Sequence, residues 1–333
     1  MNDDIITLDY GSGGKKTSNL IEKMLLPIYG NELLDELGDG AVMDGAEKLV
    51  FSTDSFVVNP VFFPGGDIGE LSVCGTVNDV SVSGGEIKYL SCAFIIEEGF
   101  SSSDLEKIAR SISETCLRAG VRVVTGDTKV VERGRGDGIY INTAGIGFLK
   151  YPGLSPKNIK PGDAVILSGT AGDHGTAVML ARNGMMQGSV KSDCAPLNRL
   201  CAALLEACPD TRVLRDPTRG GVATTLNEFT EGSEVCIELE ESLIPVRADV
   251  RSACDMLGLD PLYCANEGKL LAVVPGESAN KAVAALKALP EGENAAVIGK
   301  VTADYPGKVI METAFGGKRI LQKLTGAQLP RIC

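Results

Sequence analysis

The chain has 333 residues, of which 44% are hydrophobic and 23% charged, and its formal net charge at pH 7 is −12. This length predicts about two domains, and the acidity argues against nucleic acid or an acidic membrane as a partner. The acidic start, MNDDIITLDYGSGG, does not have the features of a signal peptide, and no run approaches the roughly 18 apolar residues of a membrane span. We therefore expect a cytoplasmic protein that engages neither membranes nor nucleic acid.

The first half of the chain alternates segments with helical spacing and segments typical of strands. SSSDLEKIARSISETCLRAG predicts a helix with Ser103 as its N-cap, Glu106 three residues on and Gly120 after its last turn. Two further helices are predicted over GGKKTSNLIEKMLLPIYG and DIGELSVCGTVNDVSVSGG. The predicted strands are KLVFSTDSFVV, KYLSCAFIIEEG, VRVVTGDTKVV and GIYINTAGIGFL.

Near residue 150 the segment KYPGLSPKNIKPGD has three prolines and no periodic pattern, which indicates a linker. A second set of strands (DAVILSG, CIELEE, KLLAVVP, AAVIGKV, KVIMET) and helices (TAVMLARNG, PLNRLCAALLEA, ADVRSACDMLG, SANKAVAALKAL) follows it. We predict two mixed α/β domains, residues 1–150 and 151–325, and an extended C-terminal tail over 326–333.

Ten cysteines and one histidine are present, and no two cysteines form a CxxC pair. The scatter favours buried thiols in a reducing compartment over a zinc ribbon or a disulfide framework. Cys333 is different, because it is the last residue after a proline. The histidine, His174, lies in SGTAGDHGTA, which is either a glycine-rich turn lining a site or a plain loop.

The segment YGSGGKKT fails the tests for both familiar phosphate-binding loops. Its Gly-Lys pair is followed by Lys16, and no glycine lies five positions before it, so it is not a Walker A loop. The third glycine of a dinucleotide fingerprint is also absent. Gly13, Gly14 and Lys15 remain either a generic anion site at a helix start or a simple glycine turn.

Acidic residues recur at strand ends and in turns rich in Gly, Ser or Thr, a pattern that favours Mg²⁺ held jointly with nucleotide phosphates. Lys129 lies within a predicted strand, where it is either an edge-strand gatekeeper or a cation for phosphate or catalysis. Glu267 precedes an apolar strand as either a general base or a turn residue. The recurring polar positions are Asp39, Asp54, Asn78 with Asp79, Asp127 and Asp216.

Several segments, in order from about residue 8 to 333, together resemble the HypE family of hydrogenase maturation proteins. They are YGSGGK, FSTDS, FFPGGDIGELSVCGTVNDVSVSGG, VTGDTKVV, INTAGIG, SGTAGDHG, RDPTRGGV, ANEGKL and the terminal PRIC. This family belongs to the ATP-binding superfamily of aminoimidazole ribonucleotide synthetase, selenophosphate synthetase and thiamine-monophosphate kinase. The resemblance implies an N-terminal α/β domain that forms a sheet or barrel across a homodimer, and an α/β C-terminal domain.

The resemblance also implies an activity. Proteins of this family carry a carbamoyl group on the terminal cysteine, loaded by the carbamoyltransferase HypF. They dehydrate the thiocarboxamide to a thiocyanate with ATP and Mg²⁺, and the cyanide passes through a HypC–HypD scaffold to the iron centre of [NiFe]-hydrogenase. The alternatives are a non-catalytic carrier with a vestigial nucleotide site and a selenophosphate synthetase-like enzyme. The second is disfavoured, because Ser12 stands in the glycine-rich loop where a cysteine is expected.

Residue roles follow by matching the family's motifs to this sequence. Cys333 is the expected carrier, Lys129 the expected charge stabiliser and Glu267 the expected base. Gly40 replaces the second of two adjacent aspartates that are common in the superfamily, so one metal ligand is expected from elsewhere. The expected nucleotide-binding residues are Gly13, Gly14, Lys15, Asp54, Asn78, Asp79, Gly126, Asp127, Thr128 and Asp216. The expected metal ligands are Asp39, Asp54, Asp79, Asp127 and Asp216.

Overall fold

The computed structural model describes residues 5–38, 40–184 and 189–324. It has two mixed α/β units, each built around its own sheet, as the sequence predicts. Asp39, Cys333 and the predicted tail over 326–333 lie outside the described residues. None of the described helices is long and apolar enough to cross a membrane.

The N-terminal sheet has four strands in the order β1-β6-β4-β5. Strands β4 and β5 are parallel to each other, and the other neighbours are antiparallel. A small antiparallel pair, β2 with β3, precedes the first long helix. The strands are β1 (Leu49–Phe56), β2 (Phe62–Phe63), β3 (Gly66–Asp67), β4 (Gly85–Glu97), β5 (Arg122–Val131) and β6 (Ile139–Leu149).

Helices α3 (Ile68–Val82) and α4 (Ser102–Ala119) cover one face of this sheet. Asp67 caps α3 by accepting hydrogen bonds from two backbone amides of its first turn. Gly75 lets α3 approach β1, since a Cβ there would lie 2.7 Å from the ring of Phe56. The opposite face stays partly uncovered, and Phe51 on it is 66% exposed.

The N-cap of α4 is Ser101, so the prediction of Ser103 was wrong by two residues. The Ser101 side chain accepts a hydrogen bond from the Asp104 amide, and Ser103 lies inside the first turn with its hydroxyl 2.9 Å from that of Ser101. Two serines within a single turn compete for the capping role, and spacing alone does not separate them. Gly120 ends the helix in the left-handed conformation at φ 68°, as predicted.

The first predicted helix is present, with an irregular middle. It runs as α1 (Lys15–Leu20), a π-helical turn over Ile21–Leu25 and α2 (Leu26–Tyr29), and it ends at Gly30 as predicted. Gly14 is its N-cap, so the glycine-rich loop does lead into a helix start.

The C-terminal sheet has seven strands in the order β13-β12-β9-β11-β7-β10-β8, with only the β12–β9 pair parallel. All four residues of both β7 and β10 are buried, which explains why these strands are apolar runs without alternation. The strands are β7 (Ala164–Leu167), β8 (Val213–Arg215), β9 (Cys236–Glu240), β10 (Leu271–Val274), β11 (Ala296–Thr302), β12 (Val309–Glu312) and β13 (Lys318–Leu321).

Separate hydrophobic clusters cover the two faces of this sheet. The helices around it are α5 (Asp173–Arg182), α6 (Asn198–Ala207), α7 (Gly221–Thr230), α8 (Ala248–Leu257) and α9 (Ala279–Lys287). The sequence did not predict α7, β8 or β13. Helix α7 contains several threonines and a valine, which have low intrinsic helix propensity, and it forms because Val222, Leu226 and Phe229 are buried in one of the clusters.

Candidate active site

Four carboxylates from both units line one small cavity. They are Asp54 on β1, Asp79 on α3, Asp216 just after β8 and Glu267 in the loop before β10. The cavity has a volume of about 30 Å³, and Thr218 and Arg219 complete its wall. Residues more than 200 positions apart in the sequence therefore meet at the boundary between the two units.

Local hydrogen bonds orient two of these carboxylates. Ser52 Oγ donates to Asp79 Oδ2 over 2.7 Å, and the Ser55 amide donates to Asp54 Oδ1 over 2.7 Å. Ser52 and Asp54 are two positions apart on β1, so their side chains lie on the same face of the strand, toward the helix α3 that carries Asp79. The site thus depends on the β1–α3 contact that Gly75 permits.

Burial and mutual repulsion raise the pKa values of Asp79, Asp216 and Glu267. Burial, with Asp79 nearby, raises the pKa of Asp216 to about 7. Burial likewise raises the pKa of Asp79, against the opposing effect of the Ser52 hydrogen bond. The pKa of Glu267 lies well above its ordinary value because the side chain is buried and Asp216 and Asp193 are close by. The cluster therefore favours a bound cation or bound protons.

The donor chemistry of the cluster fits a hard divalent cation. Carboxylate oxygens are the ligands that Mg²⁺ prefers, and Mg²⁺ usually completes its shell with water and substrate phosphates. Within residues 5–38, 40–184 and 189–324, no three His, Cys, Asp or Glu side chains already converge on one metal position. The set thus fits Mg²⁺ by type and needs ligands from a bound phosphate to complete a shell.

A second group of predicted residues lines a different cavity of about 260 Å³. Gly13, Gly126, Asp127, Thr128 and Lys129 form its polar side. Lys129 Nζ lies 3.4 Å from Asp127 Oδ2, and both side chains are exposed at the sheet edge. The rest of the wall is largely apolar and includes Leu26, Leu33, Leu34, Phe94 and Val123.

The two cavities lie at opposite edges of the N-terminal sheet. Asp54 pairs with Thr143, Thr143 with Cys92 and Cys92 with Gly126, so two strands separate β1 from β5. Three strand spacings amount to about 14 Å. The sequence-based ligand set, which grouped Asp127 with Asp54, Asp79 and Asp216, is therefore split between two places within one chain.

Asn78 contacts main-chain groups across the boundary between the two units, and its role in nucleotide binding stays a prediction. Its side chain is fully buried, donates to the Glu267 and Ala195 carbonyl oxygens, and accepts from the Leu197 amide. These contacts use both donor hydrogens and one of the two lone pairs of the amide oxygen.

His174 lies in the first turn of α5 and is fully buried, so it belongs neither to a plain loop nor to a glycine-rich turn. Its Nδ1 is 2.8 Å from Ser192 Oγ, and its ring meets that of Phe63 edge to face. The sequence did not point to three further residues around the site. Ser52 donates to Asp79, Asp193 accepts from the Glu267 amide, and Asn266 donates to Asp193. Ser52 and Asn266 lie within the segments FSTDS and ANEGKL, but nothing in these segments singled out the two residues themselves, and Asp193 lies in no such segment. Their hydrogen-bond partners are far away in the sequence.

Comparison with known proteins places the chain in a family. Residues 37–149 match the model "AIR synthase related protein, N-terminal domain", and residues 160–312 match the corresponding C-terminal domain. The chain is 49% identical over 332 residues to the carbamoyl dehydratase HypE of Azotobacter vinelandii, covering 98% of this chain and 97% of that protein.

Solved structures give the same result. The chain superposes on a crystal structure of hydrogenase maturation protein HypE in complex with ATP, with a TM-score of 0.94 at 49% identity, covering 98% of this chain and 99% of the other. It also matches a chain of a HypE–HypF complex, with a TM-score of 0.79 at 47% identity, covering 91% and 99%. The chain therefore belongs to the HypE family of hydrogenase maturation proteins, which confirms the resemblance found in its sequence.

Proposed function

We propose that this chain is an ATP-dependent carbamoyl dehydratase that converts a carbamoyl group on the Cys333 sulfur into a thiocyanate. The product supplies the cyanide ligands of the [NiFe]-hydrogenase iron centre. The observation that carries the proposal is the burial of Glu267 beside Asp54, Asp79 and Asp216 in a chain of the HypE family.

The reaction requires an amide oxygen to leave, and phosphorylation makes that possible. The amide oxygen attacks the γ-phosphorus of ATP, and ADP departs. The carbon–oxygen bond then breaks with release of phosphate, and the nitrogen loses both of its protons as the carbon–nitrogen triple bond forms. Thiocarboxamide and ATP thus become thiocyanate, ADP and phosphate.

Glu267 is the group placed to accept a proton from the nitrogen. A general base is most effective when its pKa lies near the working pH, well above the ordinary value of a carboxyl group, and burial raises the pKa of Glu267 well above its usual range. The same burial keeps water away from the phosphorylated intermediate, which would otherwise hydrolyse.

The nucleotide has candidate ligands in both cavities. Asp54, Asp79 and Asp216 would hold Mg²⁺, which when bound would offset the negative charge of the phosphates. The cavity with the apolar wall would receive the purine, and it is bordered by Gly126, Asp127 and Thr128. Lys129, which lines the same cavity, would stabilise negative charge on the reacting groups. The loop of Gly13, Gly14 and Lys15 would close over the phosphates.

A homodimer would bring the separated halves of this site together. The β1 and β5 edges lie about 14 Å apart in one chain. The uncovered sheet face carries exposed Phe51 and Leu49 beside half-buried Ile146 and Phe148, as expected of an interface. Two copies packed through this face would place the β5 edge of one near the β1 edge of the other. A Phe51→Glu variant that remains dimeric in ultracentrifugation would contradict this arrangement.

The tail would act as the carrier of the substrate. The last described segment is anchored to the 3₁₀ turn that leads into the Glu267 loop, because Gln322 exchanges two hydrogen bonds with the hydroxyl of Tyr263, four residues before Glu267. The eight residues from 326 to 333 span up to about 26 Å when extended. This reach would let Cys333 receive its carbamoyl group from HypF, return to the site, and deliver cyanide to a HypC–HypD scaffold.

Mass spectrometry of the C-terminal peptide tests the proposal. Protein carbamoylated on Cys333 is incubated with MgATP, and the peptide is expected to lose the mass of one water molecule and to gain a nitrile band in the infrared. Cys333→Ala is the control that cannot be loaded. ATP hydrolysis with no change in the mass of the peptide would favour the non-catalytic carrier and overturn the proposal.

Two variants test the assigned roles within the same assay. Lys129→Ala and Glu267→Gln should load normally and stall before the nitrile forms. Turnover at the wild-type rate in either variant would remove that residue from the mechanism.

A further inference from the structure

Glu267 is carried by an irregular loop, although the proposed function requires its carboxyl group to be held in place. The loop runs between the short 3₁₀ turn at Pro261–Tyr263 and strand β10. Glu267 lies outside the helices and strands, and contacts from distant parts of the chain hold its main chain, including a hydrogen bond of 3.4 Å from the Ala195 amide to the Glu267 carbonyl oxygen.

Asp193 holds one side of this loop. The Glu267 amide donates to Asp193 Oδ1 over 3.1 Å, and Asn266 Nδ2 donates to Asp193 Oδ2 over 2.9 Å. Lys269 Nζ lies 3.5 Å from the same Oδ2, and the Asp193 side chain is only 3% exposed. Burial alone would raise the pKa of Asp193, but Lys269 and these hydrogen bonds lower it below its ordinary value, so the group stays charged.

Asn78 holds the other side. Its Nδ2 donates to the Glu267 carbonyl oxygen over 3.1 Å, and its Oδ1 accepts from the Leu197 amide over 2.7 Å. Asn78 precedes Asp79 on α3, so one turn of this helix carries both a carboxylate of the cluster and a hydrogen-bond donor to the Glu267 main chain. The distance between Asp79 and Glu267 is thus set across the boundary between the two units.

Close packing leaves this loop little room to shift. A Cβ at Gly268 would lie 1.7 Å from the Asp193 carbonyl oxygen, so only glycine fits there. Asn266 is tied as well, because its Oδ1 accepts from the Gly172 amide over 3.1 Å and its Nδ2 also donates to the Thr170 carbonyl oxygen.

We propose that Asp193 and Asn78 are positioning residues: Asp193 accepts from the N–H of Glu267, Asn78 donates to its C=O, and together they fix its carboxyl group relative to Asp79. Neither residue touches the substrate in this role. The inference rests on the proposed function, in which Glu267 accepts the proton.

Steady-state kinetics of Asp193→Asn and Asn78→Ser tests the inference. Both variants should load carbamoyl groups normally and bind ATP with unchanged KM, while kcat for nitrile formation falls about tenfold or more, since a small displacement of a catalytic group is that costly. Asp163→Asn is the matched control. Asp163 is equally buried, pairs with Arg212 at 3.2 Å and accepts from the Lys160 amide, yet it lies outside the site. Wild-type kcat in both test variants would overturn the inference.

A double-mutant cycle separates positioning from general destabilisation. If Asp193 acts through Glu267, then adding Asp193→Asn to Glu267→Gln should leave the residual rate unchanged. An equal loss in both backgrounds would show a merely structural role and overturn the inference.

Hydrogen exchange supplies a readout that is independent of activity. Amides over 264–270 should exchange faster in Asp193→Asn than in wild type, and Asp163→Asn should leave them unchanged. Unchanged exchange rates in Asp193→Asn would contradict the proposal that Asp193 holds the Glu267 loop in place. If the wild-type protein forms no nitrile at all, the proposed function fails, while this exchange measurement still decides whether the residues hold the loop.

Discussion

Ser52 Oγ donates a hydrogen bond to Asp79 Oδ2 over 2.7 Å and so joins the first strand to the first long helix. This bond favours the charged form of Asp79 against the burial that raises its pKa. The structure therefore assigns to Ser52, to which the sequence analysis gave no role, control over the charge and orientation of a carboxylate in the cluster.

Ser52→Ala should raise the Mg²⁺ concentration needed for half-maximal nitrile formation by about tenfold, which corresponds to the loss of about 1.5 kcal/mol from one hydrogen bond to a charged group. A Mg²⁺ titration of the dehydration rate measures this. Ser81→Ala is the control, since Ser81 lies on the same helix and donates only to the Val77 carbonyl oxygen. An identical Mg²⁺ requirement in Ser52→Ala and wild type would show that the bond does not tune the site.

His174 should make the protein less stable in mild acid. Burial lowers its pKa to about 4, against an opposing effect of Asp193. An unfolded chain binds this proton near pH 6.5, so the unfolded state gains protons first and stability falls as the pH drops from about 6.5 toward 4. At pH 5 the expected loss is about 2 kcal/mol relative to pH 7.

Because the chain has a single histidine, one imidazole NMR signal reports this pKa without assignment. Urea unfolding of wild type and His174→Gln at pH 7 and pH 5 isolates the contribution from that of the carboxylates. An imidazole that titrates near 6.5 in the folded protein would contradict the prediction.

Gly126 should be intolerant of a side chain for a reason unrelated to the nucleotide. A Cβ there would lie 2.2 Å from the Cys92 carbonyl oxygen, across the parallel β4–β5 pair. Gly126→Ala should therefore lower the free energy of unfolding by about 2 kcal/mol or more. Gly14→Ala, whose Cβ meets only Ser12 Oγ at 3.5 Å, should cost no more than about 1 kcal/mol. Equal unfolding midpoints in urea for the two variants would count against this account of the sheet.

Thiol labelling should single out Cys333 in the folded protein. The other nine cysteines are all buried, and burial raises the pKa of Cys92 and Cys201 far above the ordinary value of a thiol. A thiol-reactive chromophore should modify one residue per chain rapidly in native buffer and ten in denaturant. Cys333→Ala should show no rapid phase. Rapid modification of a second native thiol would contradict the burial of the others.

Much of the fold could be predicted from local patterns. Helix α4 has clear apolar periodicity and a left-handed glycine at its end, so its existence and its C-terminus were predicted correctly. Its N-cap was misplaced by two residues, because Ser101 and Ser103 carry the same local signal. Helix α7 was missed because its stability comes from the buried positions of Val222, Leu226 and Phe229, which are determined by packing and not by propensity.

The sequence by itself determined the family, the mixed α/β class and most of the polar residues around the two cavities, because motifs preserve residue types and their order along the chain. Only the tertiary structure separated Asp127 from Asp54 by two strands, showed that Asn78 contacts the Glu267 main chain, and revealed the contacts of Ser52 and Asp193. The physical reason is that hydrogen bonding and burial depend on distances in space. Residues 193 and 267 are brought together by the folding of an entire domain, and no spacing in the sequence records that contact.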